Sequence, residues 1–308
     1  KAGKRLWVRW CRYAAILVLP LLVGIIIYRY TEEPQVEETT TITSGTSKAR
    51  LILANGTSIS LEQQQKRVVE EENGTRIDLQ QQQVVYENAI SDEYEELVYN
   101  ELVIPRGGEY SLTLSDGTVV YMNADSKLRF PVKFDRNLRM VELEGEAYFK
   151  VRKNAERPFV VMAGDVKVLV TGTTFGVRAY KDESDIQTTL ASGSVTILAK
   201  GKSVKLVPNR QVVFNKSTLG LQVRDVNVDL YLAWADGRLV YDDCPLEKIL
   251  TDLSRWYNID VFYSRDELRS FKFSLNMKKH EAFSQVLELI SRTGEVQFDI
   301  KDNTVIVR

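Results

Sequence analysis

One histidine, His280, stands in the whole chain, beside Lys278, Lys279 and Glu281. A Ser-His-Asp or Cys-His arrangement needs a positioned imidazole with partners, and a lone histidine in a charged run before a helical stretch is expected on the surface instead. The two cysteines, Cys11 and Cys244, cannot form a disulfide framework, and no His/Cys spacing matches a zinc site. No metal and no cofactor is therefore expected. Glu142, Glu144 and Glu146 alternate along a strand-like run and so share one face, which imitates a catalytic carboxylate cluster. Beside Gly145 and strand residues they are read as a solvated face. Arg106-Gly-Gly108 lies between strand-like runs and does not open a helix, so it is a turn and not a phosphate loop. These residue types offer binding and not turnover, and no catalytic residue is assigned.

The elements that would carry them are mainly β. From Lys48 the apolar pattern has a period of two, as in Leu51-Ile-Leu-Ala-Asn55-Gly56-Thr57-Ser-Ile59-Ser-Leu61, a strand, an Asn-Gly turn and a strand. The unit repeats: Asn55–Gln65 and Asn73–Gln83 are identical at 8 of 11 positions. A related unit runs from Leu112 through Asp116-Gly117 to Met122, and successive hairpins of one pattern suggest stacked β-layers. Acidic residues crowd 84–101, as a short helix or a crossing loop. Short strand signals then continue to Phe214, among them Leu128–Phe130, Met140–Leu143, Ala147–Val151, Val166–Val170 and Phe175–Tyr180, without a helical period. An all-β body, sandwich- or solenoid-like, is expected over 48–228.

The period changes after Trp234. Pro245 opens a helix with Leu246, Ile249, Leu250, Leu253, Trp256 and Tyr257 on one face, and a second helix carries Phe283, Val286, Leu287 and Ile290. With the intervening strands, residues 238–308 read as a β-α-β-β-α-β-β module, a small α+β domain.

The N-terminus differs from both. Tyr13 to Tyr28 contains 16 residues and no charge, roughly 24 Å of helix. Trp10, Tyr30 and the snorkelling Arg12 and Arg29 extend it across a ~30 Å hydrocarbon core. Residues 1–30 hold six bases and no acid, leaving 35 bases against 42 acids, a net of −7, for the remainder. This asymmetry predicts a basic cytoplasmic segment (1–12), a single-pass helix (13–30), a Thr/Glu/Ser-rich linker (31–47) and a bulk outside the cytoplasm, which in a bacterium is the periplasm. Nothing like A-x-A follows the apolar run, which argues against a cleaved signal peptide. The chain begins at Lys1, so an upstream segment is expected. The overall charge of −1 argues against a nucleic-acid surface.

Five ordered strings are more specific. Val103-Ile-Pro-Arg-Gly-Gly-Glu-Tyr-Ser-Leu-Thr-Leu-Ser-Asp-Gly-Thr-Val-Val-Tyr-Met-Asn-Ala-Asp-Ser-Lys-Leu-Arg-Phe-Pro131 resembles the opening signature of the FecR-family periplasmic domain. Val141–Val151, Pro158–Val161 and Thr171–Val177 resemble its following blocks, and Leu253-Ser-Arg-Trp-Tyr257 resembles the C-terminal module of Bacteroidetes members. The resemblance implies an inner-membrane anti-sigma factor. An N-terminal segment, missing or too short here to recognise, would hold an extracytoplasmic-function (ECF) sigma factor. The periplasmic part would sense the signalling domain of an outer-membrane TonB-dependent transporter. A membrane-tethered periplasmic enzyme and a structural β-repeat protein remain the alternatives.

Two site expectations follow from the resemblance. Some members of the family cleave themselves at a Gly-Thr bond, and the matching pair is Gly172-Thr173; from the residues themselves the favoured reading is a tight turn between Val166–Val170 and Phe175–Tyr180, with Thr173 and Thr174 capping backbone groups. The element order of the C-terminal module is similar to that of the transporters' own signalling domain, so it is expected to dock a partner by edge pairing. The last strand, Thr304, Val305, Ile306 and Val307, is the expected edge.

Overall fold

The structure, a computed structural model, describes residues 42–62, 67–70, 74–80, 82–86 and 97–308. The expected cytoplasmic segment, membrane helix and most of the linker lie outside the described residues, as do Gln63, Gln64, Gln65, Asn73 and Gln81 of the repeats and most of the acidic 84–101 segment. Among the described residues no helix is long and apolar enough to cross a membrane. Ile42–Arg308 form one compact unit.

The body is one continuous sheet that curls over a single hydrophobic core. In one half the order runs Ser58–Ser60, Arg50–Ile52, Tyr99–Ile104, Ser126–Pro131, Arg139–Glu144, Phe159–Ala163, Val166–Val170, Val195–Ala199 and Lys202–Leu206. In the other it runs Arg67–Glu70, Arg76–Leu79, Gln83–Tyr86, Gly108–Thr113, Val119–Met122, Gly145–Lys150, Thr174–Ala179, Asp185–Ser192, Arg210–Asn215 and Gly220–Asp225. Alternate side chains point inward, as a period of two requires. Phe149 stacks on Phe175 at 5.1 Å, and Phe159 from the opposite half approaches Phe149 at 6.2 Å, so the aromatic cluster joins the two halves.

The runs Met140–Leu143 and Ala147–Val151 are not separate strands. They are parts of one twelve-residue strand, Arg139–Lys150, that belongs to both halves of the sheet. Gly145 makes the passage feasible. Its φ is +95°, and a Cβ there would lie 2.4 Å from Ser126 Oγ. The Ser126 hydroxyl instead accepts the Glu146 amide at 2.8 Å.

The C-terminal module has its own core. Arg238–Pro245 pairs with Lys272–Lys278, and the helix Leu246–Tyr257 ends at Asn258 in the left-handed conformation, φ 51°. The six apolar residues expected on this helix are all buried, as are the four expected on the helix Phe283–Ser291. The last strand corrects an expectation. Thr304–Val307 is not an edge: it is the centre of a three-stranded sheet, parallel to Asp260–Tyr263 and antiparallel to Phe298–Lys301. Val305 and Val307 are fully buried, the apolar content that suggested a strand having placed it in the middle.

Candidate functional site: the seam between body and module

The module closes onto the outer face of the body sheet along a polar seam. On the helix Leu246–Tyr257, Lys248, Asp252 and Arg255 recur at i, i+4 and i+7, a charged stripe bordering the apolar one. On the body, Arg178 points outward from the strand Thr174–Ala179, where every residue after the first is buried because the module covers the outer face.

Arg178 is the centre of the seam. It donates to Asp252 Oδ1 at 2.7 Å across the seam, to Glu146 Oε2 at 3.2 Å, and through Nε to Glu183 Oε2 at 2.7 Å. Asp252 also accepts from Lys248 Nζ at 2.7 Å and from the Tyr241 hydroxyl at 3.3 Å. Arg255 returns to the body. It donates to Glu183 at 2.9 Å and to Asp182 at 2.8 and 2.9 Å, and its guanidinium lies 3.8 Å from the Tyr180 ring centroid. Tyr180 in turn donates to the Ala124 carbonyl at 2.8 Å, and Ala124 belongs to the module's apolar cluster.

The electrostatics follow from burial and pairing. Burial disfavours the Asp252 carboxylate, but Arg178 and Lys248 outweigh it and hold its pKa well below the usual range. Burial likewise opposes the Arg178 charge, and Asp252, Glu146 and Glu183 reverse the balance and raise its pKa. Tyr180 and Tyr241 are pushed up, mainly by burial. The Cys244 thiol is also raised by burial, to about 11, and it is unpaired.

A second contact involves Lys279, a side chain only 1% exposed. Its Nζ donates to Glu109 at 2.7 Å and to Asn123 at 3.0 Å, and lies 4.0 Å from the Trp256 ring and 5.1 Å from that of Trp234. Burial lowers its pKa against the pull of Glu109. The connector Asp229–Leu232 supplies a third. Leu232 packs on Gly176, where a Cβ would stand 2.3 Å from Leu232 Cδ2. Between these contacts a cleft of about 360 Å³ remains, with Arg178, Arg224, Tyr231, Trp234 and Tyr241 in its wall.

The seam gathers almost none of the residues singled out from sequence. Glu146 belongs to it, so the alternating glutamates split: Glu142 is exposed and Glu144 half-buried, while Glu146 is covered by the module and paired with Arg178. His280 is exposed, with its ring edge-on to Trp256 at 5.2 Å and Nε2 at 3.4 Å from Glu109. Gly172 and Thr173 lie between the strands Val166–Val170 and Thr174–Ala179, in front of Lys153 and Ser194. Gly172 has φ +154°, and a Cβ there would meet Lys153 Cα at 2.7 Å. The Thr173 hydroxyl donates to the Ser194 carbonyl at 2.9 Å. Among the described residues no group of three or more His, Cys, Asp and Glu side chains is arranged to hold a metal. Arg178, Asp252, Arg255 and Lys279 escaped sequence reading because isolated charges on strands and helices are ordinarily solvated. The stripe at 248, 252 and 255 was the signal available for the helix.

The chain is thus a two-part protein, a curled β-body with a small α+β module closed onto it. The FecR protein family model matches residues 100–196, and the model for the FecR C-terminal region matches residues 238–307, together more than half of the chain. The chain belongs to the FecR family. It is similar to two crystal structures of a candidate anti-sigma factor from Parabacteroides distasonis ATCC 8503. Each has 25% sequence identity and a TM-score of 0.63, and the match covers 68% of this chain and 98% of the other. No curated protein matches.

Proposed function

We propose that the protein is a membrane-anchored signal transducer that regulates an ECF sigma factor in response to an outer-membrane TonB-dependent transporter. The observation that carries the reading is the presence of both FecR parts in one compact unit. Likeness to a candidate anti-sigma factor supports the sigma-factor side of the proposal. In this reading the protein acts by binding and catalyses no reaction. The body and module stand in the periplasm, and the chain before them carries the anchor and the route to the sigma factor. The transporter signalling domain docks on the module. Since the strand Thr304–Val307 is internal, an incoming strand would add at Asp260–Tyr263 or Phe298–Lys301.

Deletion of the gene tests the proposal. Transcripts of one sigma-factor regulon, with a TonB-dependent transporter among them, are expected to shift together. Transcript levels without a coordinated change would overturn it. Alkaline phosphatase fused after Ser47 is expected to be active and before Arg12 inactive, and the reverse pattern would overturn the topology.

A further inference from the structure

The residues that lead into the body are clamped by the module. Gly45 is buried, and a Cβ on it would lie 2.5 Å from Trp256 Cε3 and Cζ3, so its backbone rests directly on the indole. No positive φ is involved: glycine is needed here for space. Ile42 packs against the module's apolar cluster. Thr46 and Ser47 pair in parallel with Gly108 and Glu109 of the body, and the Thr46 amide donates to the Gly107 carbonyl at 3.0 Å.

The module also grips the strand that this segment pairs with. The Gly107 amide donates to the Arg255 carbonyl at 2.7 Å, and the Arg106 guanidinium donates to the Ser254 carbonyl at 3.0 Å. Glu109, opposite Ser47 in the register, accepts from Lys279 at 2.7 Å. The segment therefore lies in a groove with one wall from the body, Gly107–Glu109, and one from the module, Trp256. Two ladder residues do not offset the entropy of ordering six, so the burial of Gly45 and Ile42 against the module supplies the remainder.

We propose that Ile42–Ser47 is a strap locked by the docked module. Whatever displaces the module removes one wall of the groove and frees the strap, and with it the attachment of the chain that precedes Ile42. By linkage the coupling is reciprocal: forcing the strap off Trp256 weakens module docking. The device depends only on the contacts of Ile42–Arg308 and stands whether or not the chain regulates a sigma factor.

Hydrogen–deuterium exchange on the full chain tests it. Asp252→Ala breaks the seam at a residue that does not touch the strap, and Asp252→Asn serves if the alanine variant fails to fold. The expected result is exchange at least about tenfold faster in peptides containing Gly107 and in peptides covering 42–48, with the body peptides around Phe149 and Phe175 unchanged. Gly45→Val is expected to speed exchange at Gly107 by a similar factor. Strap peptides that stay protected in the seam variants, or an unchanged Gly107 peptide in Gly45→Val, would overturn the proposal.

Discussion

Arg178 of the body and Asp252 of the module meet at 2.7 Å with side chains 9% and 19% exposed, among the described residues the one direct ion pair from Arg178 that crosses the seam. Its other carboxylate partners, Glu146 and Glu183, are on the body. Arg178 thus remains paired when the module leaves, whereas Asp252 keeps only Lys248 and Tyr241.

Removing Asp252 leaves Arg178 its pairs with Glu146 and Glu183, but takes from Arg178, Lys248 and the Tyr241 hydroxyl a shared acceptor in a poorly solvated site. Asp252→Ala is expected to cost about 3 kcal/mol, the lower end for breaking a buried pair, since Lys248 is then partly freed to water. Urea denaturation of the purified protein measures it, and a loss under ~1 kcal/mol would show the pair to be neutral. Replacing both residues together with apolar ones is expected to cost less than the sum of the two single changes, because that sum counts the lost Arg178–Asp252 pair twice.

The seam has a pH signature whose sign follows from Asp252. Its folded pKa is depressed, so its stabilisation is fully present above the ordinary carboxylate pKa of ~3.9 and is lost as the pH falls through the lower folded value. Thermal melts of the wild type are expected to hold steady down to about pH 5 and then fall. Asp252→Asn is expected to start lower at neutral pH and to show a shallower acid limb. Parallel acid limbs for the two proteins would remove Asp252 as the source.

Self-cleavage at Gly172-Thr173 requires the Thr173 oxygen to attack the Gly172 carbonyl carbon, the C–N bond to break as an ester forms, and water to hydrolyse the ester. Gly172 holds a backbone conformation reserved for glycine, while the Thr173 hydroxyl is hydrogen-bonded to Ser194. Cleavage would give two fragments meeting at 172/173 from the wild type and one chain from Thr173→Ala, read by mass spectrometry. A single wild-type species, stable for days, would leave the pair as a turn.

Local pattern determined most of the secondary structure. The period of two in the body, the helical faces ending at Tyr257 and Ile290, and the turns at Asn55-Gly56 and Asp116-Gly117 are each set by contacts within a few residues, so sequence alone was enough to predict them. Sequence also carried the family, through short strings in order. Tertiary structure decided which elements are neighbours. Thr304–Val307 reads as a strand from its own residues, but its central place depends on Asp260–Tyr263, more than forty positions earlier. Arg139–Lys150 joins both halves of the sheet only because Gly145 crosses at Ser126. The seam is furthest from sequence. Arg178 and Asp252 are 74 residues apart, and Gly45 and Trp256 are further still. A lone charge or glycine carries no local sign of its partner, because burial by another part of the chain changes its surroundings without changing its neighbours in sequence.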